Sequence, residues 1–209
     1  MNALARTLAA APTLAAALAA APASALPLLS EVLYDAAGSD DGAVFVELYG
    51  APGTSLDGWT IEGVNGADGD VTVTLELTGT IPEDGLFVVA DAGPALVPGA
   101  DLLLEFDFQN GPDSVVLRDA LGAVVDALGY GVFAAGTVFA GEGAPAPDGA
   151  AGESVARLFA NVDTDDNAAD FALLQTPTPG EAPLAPVPEP GAAALVATGL
   201  AALALGKRR

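Results

Sequence analysis

Val71-Thr72-Val73-Thr74-Leu75-Glu76-Leu77 places Val, Val, Leu and Leu on one face of an extended chain and Thr, Thr and Glu on the other. That period of two is the pattern of an antiparallel strand with one face buried and one face wet. Leu102, Leu104, Phe106 and Phe108 alternate with Leu103, Glu105 and Asp107 in the same way. Working outward, further strands are expected over Leu28 to Tyr34, Ala43 to Tyr49, Gly58 to Val64, Leu86 to Ala90, Ser114 to Asp119, Ala123 to Leu128 and Val155 to Phe159, nine in all. Turn clusters such as Gly38-Ser39-Asp40-Asp41-Gly42 and Asn65-Gly66-Ala67-Asp68-Gly69 separate them. Their spacing suits an all-β, antiparallel β-sandwich. No helical period of useful length interrupts the strands, so crossover helices and a parallel α/β sheet are not expected.

The chain has 209 residues, 28 acids against 6 Lys and Arg, and neither Cys nor His. Between residues 26 and 186 stand 27 of those acids and two cations, Arg118 and Arg157. So negative a body argues against nucleic acid as a partner and opposes adsorption to anionic membranes. Without Cys or His there are no thiolate nucleophiles, Cys/His zinc sites, disulfides or histidine bases. Neither a phosphate-binding Gly loop nor a Gly-x-Ser-x-Gly elbow is present, and nothing singles out one carboxylate pair among so many, so no catalytic residue is assigned.

Apolar residues gather at the ends. Residues 1–25 hold thirteen Ala and one charge, Arg6, and close on Ala23-Ser24-Ala25, the form of a secretory signal peptide with a signal helix. The sandwich domain is expected over residues 26–175 and a Pro-rich extended stalk over 176–186. Residues 140 to 153, rich in Gly, Ala and Pro, are expected to form a long surface loop. Over 187–209 the chain reads Val187-Pro188-Glu189-Pro190, then an uncharged Ala/Leu/Gly run from Gly191 to Gly206, then Lys207-Arg208-Arg209. That run would span about 24 Å as a helix, against about 30 Å of hydrocarbon, and the terminal cations would stay on the cytoplasmic side.

This tail resembles the PEP-CTERM sorting signal of Gram-negative bacteria. The resemblance implies an exosortase as processing partner, an export route, and contact with the membrane only through the C-terminal hydrophobic helix before processing. It speaks of destination rather than activity.

A second resemblance spans residues 28 to 180. Leu29-Ser30-Glu31-Val32 with Tyr34, Phe45-Val46-Glu47-Leu48-Tyr49 and Leu56-Asp57-Gly58-Trp59-Thr60-Ile61 are similar to the opening of a lamin-tail domain. Ser114-Val115-Val116-Leu117, Val124-Val125-Asp126 and Tyr130 are similar to its last hairpin. Ser154 with Arg157, Asp163 to Asn167, Asp170-Phe171 and Thr178-Pro179-Gly180 are similar to the closing segment of its secreted bacterial members. Gly50 departs from the family, which often has Asn there. The resemblance implies an immunoglobulin-like sandwich serving as a binding, adhesion or accessory module, with no catalytic residues of its own.

Four residues are expected to be structural. Trp59 is read as a core side chain. Glu47, between Val46 and Leu48, is expected to be buried and to need a partner, and the only body cations are Arg118 and Arg157. Asp163, Asp165, Asn167 and Asp170 place oxygen ligands along one turn, although Ala168 and Leu174 rule out an EF-hand. Calcium is thus the one candidate ligand, and no other cofactor is expected. The expected function is an exported, non-catalytic cell-surface or matrix module, with exopolysaccharide or surface proteins as partners. The alternative is a Ca2+-dependent carbohydrate-binding module.

Overall fold

β1 (Leu28–Leu33) pairs with β2 (Phe45–Tyr49), which pairs in turn with β5 (Leu86–Asp91), and all three are buried along nearly their whole length. The computed structural model describes residues 26 to 186. The segments expected as a signal peptide (residues 1–25) and as a sorting signal with a C-terminal helix (187–209) lie outside the described residues. Two sheets carry nearly all the regular structure. The first runs β10 (Phe171–Leu174), β9 (Ser154–Arg157), β1, β2, β5, β6 (Leu102–Leu104), and the second β4 (Val71–Glu76), β3 (Thr60–Asn65), β7 (Asp113–Arg118), β8 (Val124–Tyr130). A single turn of helix, α1 (Asn167–Asp170), leads into β10. Among the described residues no helix is long and apolar enough to cross a membrane.

One hydrophobic core draws on both sheets, consistent with a β-sandwich. Leu29, Val32, Val46, Leu48 and Val89 come from the first sheet and Ile61, Val115, Leu117 and Leu128 from the second, and all are fully buried. Tyr34 and Tyr130 stack inside it with centroids 4.1 Å apart and planes at 11°. The Tyr130 hydroxyl donates to the Gln109 carbonyl at 2.8 Å, and the Tyr34 hydroxyl accepts from the Gly149 N–H at 2.6 Å, so both polar ends are satisfied. Burial pushes both phenols well above their ordinary value.

The structure corrects several expectations. The segment expected as one strand from Leu102 to Phe108 ends its ladder at Leu104, and β6 pairs with β5 in parallel. Phe106 and Phe108 are buried all the same, edge to face at 5.2 Å. The cause is Asp91, whose carboxylate accepts the Phe106 N–H at 3.0 Å and the Gly42 N–H at 2.6 Å and so replaces the strand partner. A tenth strand, β10, follows the acidic turn and pairs only with β9. Trp59 packs against the core's margin, half-buried rather than central.

The expected stalk is docked on the body through Ala185. The Thr178 hydroxyl donates to Glu31 Oε2 at 2.8 Å, and its N–H donates to Glu31 Oε1 at 2.9 Å. Next, Gly180 N–H donates to Glu47 Oε2 at 2.6 Å, from a left-handed backbone (φ 82°) that favours glycine. Asn161 then binds Ala185 through both its amide atoms, and Ala160 N–H reaches the Pro183 carbonyl at 2.9 Å. Pro-rich chain does not pack on itself, but here two buried carboxylates capture its backbone donors. The boundary expected after residue 175 therefore gives way to a body that runs to Ala185.

Candidate functional site

Glu47 and Glu31 face each other across β1 and β2, and neither touches an arginine. The expected pair between Glu47 and Arg118 or Arg157 is thus replaced by the docked 178–180 segment. Burial raises the Glu47 carboxyl to about 7, against the Gly180 N–H and the Ser30 hydroxyl, with Glu31 adding to the rise. Its Oε1 has no hydrogen-bond partner. Arg118 instead binds Glu62 at 2.8 Å on the partly exposed face of the second sheet.

Arg157 is the hub of the molecule. From β9 its Nε donates to the Leu29 carbonyl of β1 at 2.9 Å, and Nη2 to Asp126 Oδ2 of β8 at 2.7 Å. Nη1 donates to the Val162 carbonyl at 3.0 Å, to Asp170 Oδ2 at 3.1 Å and, more loosely, to Asp163 Oδ1 at 3.4 Å. The guanidinium also lies 4.5 Å from the centre of the Phe171 ring. Since Arg157 belongs to the first sheet and Asp126 to the second, this ion pair ties the two sheets together. Both side chains have 0% of their surface exposed. A planar, multiply donating cation suits this place as an ammonium would not.

Asp126 Oδ2 also accepts the Leu29 N–H at 2.6 Å. Burial nevertheless pushes the Asp126 carboxyl up, against the pull of Arg157 and that N–H. Asp170 is saturated by Arg157 together with the N–H and hydroxyl of Thr164 at 2.8 and 2.7 Å.

Asn167, the buried first residue of α1, is equally committed. Its Oδ1 accepts the Gly129 N–H at 2.8 Å and the Glu142 N–H at 2.9 Å, while Nδ2 donates to the Ala127 carbonyl at 2.8 Å. Gly141 makes the close approach possible, because a Cβ there would collide with Asn167 Oδ1 and the backbone of Gly129. Asn167→Ala should therefore strand two backbone donors and lower stability by about 2 kcal/mol, read as a shift in the urea midpoint at unchanged m-value.

The four expected cation ligands therefore do not act as a set. Asn167 and Asp170 spend their oxygens on the protein, and Asp165 is exposed in a left-handed turn (φ 56°). Of the four, Asp163 alone joins a different group. Asp126, Glu142 and Asp163 each bring one carboxylate oxygen within 4.8 Å of the others. Asp126 Oδ1 and Glu142 Oε2 are buried and have no hydrogen-bond partner. Burial raises the Glu142 carboxyl to about 7, with Asp126, Asp163 and Asp165 adding to it and Arg157 opposing.

The sequence carried a signal for Asp126, an acid inside the apolar run Val124-Val125-Asp126-Ala127-Leu128, like Glu47 in its own strand. Glu142 stands between two glycines in a loop and carried none.

No known protein-family model matches the chain, and no curated protein matches it.

Proposed function

We propose that the protein is an exported, non-catalytic β-sandwich module, immunoglobulin-like and of lamin-tail type, with an adhesive or structural role at a Gram-negative cell surface or in its matrix. The observation that carries this reading is the complete enclosure of the Arg157–Asp126 pair. The Arg157–Asp126 pair at the centre of the most elaborate polar cluster in the described residues is spent on joining the two sheets, which supplies rigidity. A module that must survive outside the cell without disulfides needs such cross-links.

The export reading rests on residues 1–25 and 187–209, with an exosortase acting at the Pro188-Glu189-Pro190 element. The acidic body is suited to staying soluble and apart from anionic surfaces until a specific partner, exopolysaccharide or a surface protein, holds it.

An epitope tag placed in the β7–β8 turn at Leu121, which is 94% exposed, tests the proposal without disturbing the core. Antibody should label intact cells or the surrounding matrix, and deleting the exosortase should remove that label. Labelling confined to permeabilised cells would contradict the reading.

A further inference from the structure

We propose that Asp126, Glu142 and Asp163 form a divalent-cation site, selective for Ca2+, that clamps the loop after β8 and the turn before α1 onto β8.

The first observation is convergence. Three carboxylates from three separate segments bring one oxygen each within 4.8 Å of the others. An ion with oxygen ligands at about 2.3–2.6 Å accepts pairs of ligand atoms at such separations, whereas Mg2+ at about 2.0–2.1 Å requires a tighter octahedron.

The second observation is independent of the count of acids. Asp126 has no exposed side-chain surface, and its Oδ2 is taken by Arg157 and Leu29, yet its Oδ1 has no partner. Glu142 Oε2 is likewise buried and unpartnered. Buried carboxylate oxygens without donors are costly, and two of them in one cluster mark a place built for a positive ligand that is not a protein hydrogen bond.

Charge points the same way. Arg157 is the one cation bonded within this cluster, and it is shared among Asp126, Asp163 and Asp170, with Glu142 added beside them. A divalent ion offsets most of the excess. Asp163, whose side chain keeps 25% of its surface exposed, gives the ion a way in from solvent, and water completes the coordination.

Such a clamp has a defined mechanical effect. Glu142 belongs to the connection between β8 and β9, and Asp163 to the turn between β9 and α1. Binding both to β8 closes the end of the sandwich that Arg157 closes from inside.

The test uses the full chain in mild detergent, stripped with chelator, with CaCl2 as the probe at fixed ionic strength. Thermal unfolding should rise saturably, with Kd near about 0.1–1 mM as in extracellular modules. The gain should be about 5–10 °C at a hundredfold excess over Kd. Glu142→Gln, which keeps shape and removes charge, should weaken Kd by about tenfold or more, while Glu76→Gln on exposed β4 should leave it unchanged. Should Glu142→Gln fail to fold in chelator, Asp163→Asn carries the same comparison. No saturable rise, an equal rise with Mg2+ or Na+, or an unaltered Kd in the folded site variant would each overturn the proposal.

Discussion

Replacing Arg157 with Met is expected to cost about 3–5 kcal/mol, enough to leave a large fraction of the protein unfolded at 37 °C. Met keeps most of the aliphatic stem over Phe171 and so preserves the packing. What it removes is the charge faced by Asp126 and Asp170, two carboxylates that are themselves buried. The loss measures the burden of an uncompensated buried carboxylate rather than the net worth of the ion pair, which can be small. A second substitution separates these meanings. Asp126→Asn in the Arg157→Met background should recover part of the stability, because Asn can still accept the Leu29 N–H while shedding the charge. Strictly additive losses in urea unfolding would show that the two residues do not act through each other.

Glu47→Gln is expected to act in the opposite direction and only at higher pH. In the folded protein Glu47 keeps its proton until about pH 7, whereas its ordinary value is 4.5. Between those values the folded form binds the extra proton, so this group's contribution to stability is full below about pH 4.5 and is lost as pH rises through 7. The gap corresponds to about 3 kcal/mol at most. Gln carries no charge at any pH and can still accept the Gly180 N–H. The variant should match the parent near pH 4 and exceed it by about 3 kcal/mol at pH 8, in urea midpoints taken from pH 4 to 9. Glu142 titrates in the same range, so the difference between the two proteins, not either slope alone, reports Glu47. Parallel curves would mean that the buried carboxyl is not strained by its charge.

These two residues also show how far the sequence could be read. Period-two alternation placed most of the strands, because a side chain's face in a strand follows from its parity alone. The same logic marked Glu47 as a buried acid, since Val46 and Leu48 flank it in an apolar strand. It could not show that the partner would be the backbone N–H of Gly180, 133 residues away in a Pro-rich segment. With two cations in the body, charge pairing was the natural expectation, yet one arginine was already committed to three aspartates and the other to Glu62. The Asp163 to Asp170 turn was visible as a cluster of oxygen ligands. Which of them face inward depends on a single helical turn and a left-handed Asp165, and neither has a period to read. Glu142 became part of the site only through tertiary contact, in a loop whose composition resembles any exposed connection. The parallel β5–β6 pair was hidden for a related reason, because Asp91 satisfies the backbone where a ladder would have continued.

As proposed, residues 26–186 are an exported module delivered by signals at both ends. The intact mass of the protein recovered from the surface or medium of the cells that express it is the direct test. That mass should be that of a chain that begins at Leu26 and has lost the apolar run and the Lys207-Arg208-Arg209 cluster after the Pro-Glu-Pro element. A protein that keeps residues 1–25 or the whole of 191–209, or that is found only inside the cell, would contradict it.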